Sequence, residues 1–174
     1  MFTTVLSENA TRALALLGKS DILPKKTYLA GGSALALQFG HRISIDFDFF
    51  TPTQFSGQEI VKKLDKVGEF VFQESTGKNT LLGLFENVKF SLFKYDYPLV
   101  VSPIYYLGVE IARPEDIAAM KIAAIMDRGT TKDFIDVFFI IKKGISLEQS
   151  FDYYNRKYEK LANNIYSIIK SLTY

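Results

Sequence analysis

The stretch from Tyr28 to Phe50, YLAGGSALALQFGHRISIDFDFF, restricts the fold more than any other part of the chain. A short apolar run meets two glycines. A segment of helix formers follows and ends at Gly40. An alternating run then carries Asp46 and Asp48 between hydrophobic neighbours. The pattern reads as strand, turn, a short helix starting at Ser33, then strand. Residues two apart on a strand leave the same face, so Asp46 and Asp48 project together and Ile45, Phe47 and Phe49 project toward the core. Their backbones stand roughly 7 Å apart. Carboxylates are costly to bury unless something pairs with them, so the two either cap a loop or hold a metal.

The rest of the chain fits around that unit. Leu6, Ala10, Ala13, Leu14 and Leu17 recur at helical spacing, with Gly18 read as the stop. Ile60, Val61, Leu64 and Val67 mark the inward side of a second amphipathic helix. EFVFQES, TLLGLFE, VKFSLFKY and GVEIA read as strands, with KNT and EN as hairpin turns. From Pro114 onward the pattern is helical to Tyr174. The reading is therefore α+β: a mixed sheet flanked by helices in residues 1–112, and a helical C-terminal part in residues 113–174. A hydrophobic share of 48% in 174 residues supports a real core. A formal charge of +2 is too small to establish a nucleic-acid partner. The absence of cysteine excludes disulfides, a thiol nucleophile and thiolate metal sites. With no signal-like start and no apolar run of membrane-spanning length, the chain reads as a soluble cytoplasmic protein without membrane association.

The chemistry follows from residue type. Gly31 and Gly32 let backbone approach a phosphate closely. The helix that follows offers free N–H groups and a partial positive charge. Ser33 can cap that helix or hydrogen-bond a phosphate oxygen. Asp46 and Asp48 suit a hard divalent cation, Mg²⁺ or Mn²⁺, completed by water and substrate phosphates. Downstream, Lys121 and Arg128 are seven apart on one helical face, and Asp133 and Asp136 are three apart on the next. Thr130 and Asp133 have the spacing of a capping box. Two readings stay open for this cluster: an inter-helix salt bridge, or cations facing a polyphosphate with an aspartate orienting them.

Gly32-Ser33, twelve residues, then Asp46-Phe47-Asp48 resembles the G-S…D-x-D signature of the DNA-polymerase-β-like nucleotidyltransferases. GGSALAL…HRISIDFDFF together with EDIAAMKIAAIMDRGTTKDFIDVFFI resembles the AbiEii/AbiGii toxin family, over about residues 27 to 143. The resemblance implies a minimal nucleotidyltransferase fold and Mg²⁺-dependent transfer of a nucleotidyl group from a nucleoside triphosphate to an acceptor hydroxyl. The acceptor would be RNA, such as transfer RNA, or protein. It also implies the toxin role in a toxin–antitoxin or phage-defence pair, with a cognate antitoxin. Gly31, Gly32 and Ser33 would bind triphosphate, with Arg42, Lys121 and Arg128 assisting. Asp46 and Asp48 would bind the metal, and Lys121 and Asp133 would join them in catalysis. Arg42 and Ser44 match the family's R-x-S-x-D-x-D run, where they order the loop, touch phosphate or pair with Asp46.

One departure stands out. The superfamily usually carries a third carboxylate on a later central strand, and VKFSLFKY has none. Asp96 and Glu110 are the substitutes at hand. A catalytically inactive nucleotide- or protein-binding module on the same fold is the alternative reading. His41 reads as ordinary surface. The tyrosines near the C-terminus either stack nucleic-acid bases beside Arg156, Lys157 and Lys160 or pack an amphipathic helix onto the domain.

Overall fold

Alternation puts four fully buried apolar side chains on one side of two strands. Those strands, β2 (Asp46–Thr51) and β5 (Val88–Lys94), run parallel at the middle of a sheet. Phe47, Phe49, Phe90 and Leu92 are fully buried, with the Phe49 and Phe90 rings 5.5 Å apart. Each such burial contributes about 1.5–3 kcal/mol. The computed structural model describes residues 1–76 and 79–159. The chain divides into two compact units, Met1–Asp96 with Pro103–Ile111, and Tyr97–Ser102 with the chain from Ala112 onward.

The first unit is a mixed sheet with helices. Its further strands are β1 (Tyr28–Ala30), β3 (Phe70–Thr76), β4 (Thr80–Phe85), β6 (Ile104–Tyr106) and β7 (Val109–Ile111). The seven-stranded order is β3-β4-β5-β2-β1-β7-β6. β1 lies antiparallel to β2 and parallel to β7. β3, β4 and β5 form an antiparallel meander. Glu86 and Asn87 both take positive φ, so EN makes the tight β4–β5 turn. The KNT turn lies partly outside the described residues.

Among the described residues, this unit has three α-helices and a short 3-10 helix, Thr3–Val5. α1 (Glu8–Lys19) starts at Ser7, whose hydroxyl accepts from Ala10 N at 3.1 Å. Gly18 lies inside α1 and does not end it. A Cβ there would stand 2.0 Å from the Leu107 carbonyl oxygen, so the glycine admits the β6–β7 turn. α2 (Gly31–Phe39) begins two residues before Ser33. α3 (Gly57–Leu64) buries Ile60 and Leu64, while Val61 and Val67 are half-buried. Ile45 does not join the core: it precedes β2 and is 60% exposed.

The second unit is helical. α4 (Pro114–Asp127) has proline in its first turn, and α5 (Thr131–Lys142) and α6 (Leu147–Lys157) follow. Ile117, Ala118, Ala119, Ile122 and Ile125 are buried. A polar tie sits among them. The Asp116 carboxylate accepts from Val100 N (2.9 Å), Val101 N (3.1 Å) and Lys157 Nζ (2.8 Å), and Lys157 also donates to the Pro98 carbonyl (2.9 Å). Lys157 is therefore buried and no part of a basic base-stacking surface. Tyr154 and Tyr158 are buried too, their rings 4.9 Å apart, with Tyr97 4.7 Å from Tyr158. These tyrosines pack inside the unit; Lys160, Tyr166 and Tyr174 lie outside the described residues.

Candidate active site

β2 sends Phe47, Phe49 and Thr51 into the core and leaves Asp46, Asp48 and Phe50 half-buried on the opposite face. The strand pairing brings the glycine turn to those carboxylates. Ala30, the last residue of β1, pairs with Asp48. The chain then turns at Gly31 with φ of 68°. A Cβ at Gly31 would stand 2.9 Å from Asp48 Oδ2, so the Asp48 carboxylate lies against the turn. A Cβ at Gly32 would stand 2.0 Å from Arg42 Nη2, so the guanidinium covers the next residue. Gly31, Gly32, Arg42, Asp46 and Asp48 thus gather at one place in the first unit.

Ser33 is tied to the same place through its side chain. It is buried, and its hydroxyl is hydrogen-bonded to the Ser44 hydroxyl (2.9 Å) and to the main-chain oxygen of Asp46. Ser33 and Ser44 therefore lock the start of α2 to the start of β2. No side chain caps α2. Its first N–H groups have no partner within the helix, and with the positive helix end they favour an anion. His41 packs edge-on to Phe39 at 6.4 Å.

β5 borders β2 on the side away from β1. In register, Lys89 faces Asp46, Ser91 faces Asp48 and Phe93 faces Phe50. Glu110 is on β7, two strands from β2, and accepts from the Tyr105 hydroxyl at 2.9 Å. Asp96 pairs with Lys94 and is exposed. Among the described residues, no group of three or more His, Cys, Asp or Glu could hold a metal ion. Asp46 and Asp48 offer two hard oxygen donors side by side. That set fits Mg²⁺ or Mn²⁺, ions that keep several waters and take further ligands from substrate phosphates.

The second unit holds the other candidate residues. Lys121 Nζ is 2.8 Å from Asp133 Oδ1 and 2.7 Å from Asp136 Oδ2. Arg128 Nε is 3.1 Å from Asp133 Oδ2. All but Arg128 are buried. The Thr130 hydroxyl donates to Asp133 Oδ2 at 2.7 Å, and the expected capping box does not form. Burial would raise the Asp133 carboxyl, but hydrogen bonds from Arg128, Lys121 and Thr130 outweigh it and hold the group well below the usual carboxylate range. This is the inter-helix ion pair that spacing allowed, with Lys121 shared between two carboxylates.

Among the described residues, no helix is long and apolar enough to cross a membrane. The architecture is that of nucleotidyltransferase structures. A Helicobacter pylori protein assigned as a nucleotidyltransferase superposes with a TM-score of 0.57 at 18% identity, over 95% of this chain and 92% of its own. JHP933 from Helicobacter pylori gives 0.56 at 18% identity, over 95% of this chain and 90% of its own. The Megavirus polyadenylate synthase gives 0.53 at 14% identity, over 78% of this chain and 32% of its own. At these identities the likeness is one of fold. In sequence, an uncharacterized protein of Aquifex aeolicus (strain VF5) is 42% identical over 154 residues, spanning 84% of this chain and 72% of the relative. The family model described as nucleotidyl transferase AbiEii toxin, type IV TA system, matches residues 15–103 and 82–167. This chain belongs to that AbiEii nucleotidyltransferase toxin family.

Proposed function

We propose that the chain transfers a nucleotidyl group from a nucleoside triphosphate to an acceptor hydroxyl of RNA, such as transfer RNA, or of protein, with Mg²⁺ held at Asp46 and Asp48. The observation that carries this reading is the meeting of Asp48 with the Gly31 turn, under the Arg42 guanidinium. The main-chain N–H groups of Gly31, Gly32 and Ser33 would hold the triphosphate, and Arg42 would neutralise it. Ser33 and Ser44 serve by fixing the turn against β2. The bound cation supplies charge neutralisation at the α-phosphate. Lys121 and Asp133 are proposed as catalytic residues and Arg128 as a triphosphate ligand on the strength of the family resemblance of their motif alone. Such sites work by positioning and electrostatics more than by covalent chemistry. The proposed cellular role is the toxin of a toxin–antitoxin pair acting in phage defence, with a cognate antitoxin as partner.

A second reading, a nucleotide- or protein-binding module without catalysis, draws on the β5 face, which has Lys89 and Ser91 where a third carboxylate would stand. One experiment separates the two. Each α-labelled triphosphate is incubated with Mg²⁺, total cellular RNA and protein, using the parent and Asp48→Ala, with thermal melting in parallel. Label transfer by the parent and none by a folded Asp48→Ala is the expected result. Binding without transfer by the parent would favour the module.

A further inference from the structure

Lys89 has no place in the roles assigned so far. It lies on a central strand, directly opposite Asp46 in a parallel ladder, so both side chains leave the same face. It is exposed. Among the described residues, neither the Lys89 ammonium nor the Asp46 carboxylate makes a hydrogen bond or ion pair. Neighbouring strands stand about 4.8 Å apart, and four methylenes let the ammonium sweep across Asp46.

We infer that Lys89 is a catalytic residue that holds the attacking oxygen of the acceptor, taking the place of a second metal ion. The inference rests on the nucleotidyl-transfer reading. Sides of the sheet fix which substrate it meets. β1, which ends in the glycine turn, borders β2 on one side; β5, which carries Lys89, borders it on the other. With the triphosphate at the turn and the α-phosphorus over Asp46 and Asp48, Lys89 stands on the side from which the acceptor approaches. A two-metal site uses one ion at the leaving oxygen and one at the attacking oxygen, about 4 Å apart. A second ion needs oxygen ligands of its own beside the attacking oxygen. Here β5 brings Lys89 and Ser91, and no carboxylate, beside Asp46 and Asp48, so the ammonium brings chain-bound positive charge to the second position.

The step balances without an added reactant. The acceptor hydroxyl gives its proton to water, its oxygen bonds to the α-phosphorus, and the bond from the α-phosphorus to the bridging oxygen breaks to release pyrophosphate. Lys89 donates a hydrogen bond to the attacking oxygen as its proton departs and negative charge collects there.

Mn²⁺ binding, counted by electron paramagnetic resonance, tests the inference. The full chain is titrated with Mn²⁺ in the presence of the α,β-methylene analogue of each of the four triphosphates. The parent and Lys89→Met should bind one Mn²⁺ with the preferred analogue, and Lys89→Asp should bind two. Lys89→Met should hold the analogue within about twofold of the parent while transfer slows about 10²–10³-fold, the range for removing one such donor. Two ions on the parent, a single ion on Lys89→Asp, or undiminished transfer by Lys89→Met would overturn the role of Lys89 and leave the nucleotide site standing. A parent that binds no Mn²⁺ with any analogue would overturn both.

Discussion

Gly31→Ala perturbs the proposed site with the least change in chemistry. Gly31 has φ of 68°, a left-handed conformation that costs a residue with a Cβ about 1–2 kcal/mol. For a chain of this size that corresponds to a fall in melting temperature of about 2–8 °C. The new methyl would also stand 2.9 Å from Asp48 Oδ2, closer than a Cβ tolerates, so the carboxylate must move. Gly32→Ala is the natural comparison. Gly32 takes an ordinary helical conformation, and its methyl would meet only the far end of Arg42, which can swing aside. Alanine gains about 0.8–1 kcal/mol of helix propensity over glycine, so this variant should melt near the parent. Calorimetric titration with Mg²⁺ and each triphosphate should show binding lost in Gly31→Ala and weakened in Gly32→Ala through displacement of Arg42. If a folded Gly31→Ala binds nucleotide as tightly as the parent, the turn is no phosphate cradle and the reasoning fails.

The buried charges give further expectations. Asp133, with its folded value depressed, contributes stability that is complete above its unfolded value of about 4 and is lost as pH falls from there through the folded value. Urea midpoints should therefore drop with acid in the parent, and drop less steeply in Asp133→Asn. Asp116→Ala removes the carboxylate partner of buried Lys157 and the acceptor for Val100 and Val101 N–H; urea unfolding should show a loss of about 3–5 kcal/mol. Asp48→Ala should cost little stability by the same assay, because removing one of two neighbouring carboxylates relieves repulsion. Lys121→Ala should weaken triphosphate binding in calorimetry, with Lys121→Arg restoring part of it because a planar fork replaces a point charge.

What the sequence discloses depends on how local the cause is. The alternation around Asp46 and Asp48 and the adjacent glycines are local, and they lead directly to a strand with two carboxylates on one face. The Lys121–Asp133 pair follows from helical spacing in neighbouring helices. Non-local causes leave no such trace. Lys157 looks like a surface cation until Asp116, 41 residues away, is placed beside it. Gly18 looks like a helix stop until the Leu107 carbonyl arrives against it. The register of β5 against β2, which sets Lys89 opposite Asp46, depends on which strand pairs with which. β6 is three residues long and follows a proline, too short for alternation to mark. Residue type leaves the Ser33 hydroxyl open to a helix cap or a phosphate oxygen; in the fold it meets the Ser44 hydroxyl and the Asp46 main-chain oxygen, a contact no spacing rule predicts.

The central claim is that the glycine turn and the paired aspartates form one metal–nucleotide site. Its most direct test is anomalous diffraction above the manganese edge, from crystals grown with Mn²⁺ and an α,β-methylene triphosphate. The account predicts a manganese peak bonded to Asp46 and Asp48, with phosphate oxygens within hydrogen-bond distance of the Gly31, Gly32 and Ser33 main-chain nitrogens. A peak away from these two carboxylates, or a triphosphate seated elsewhere than on the turn, would contradict it.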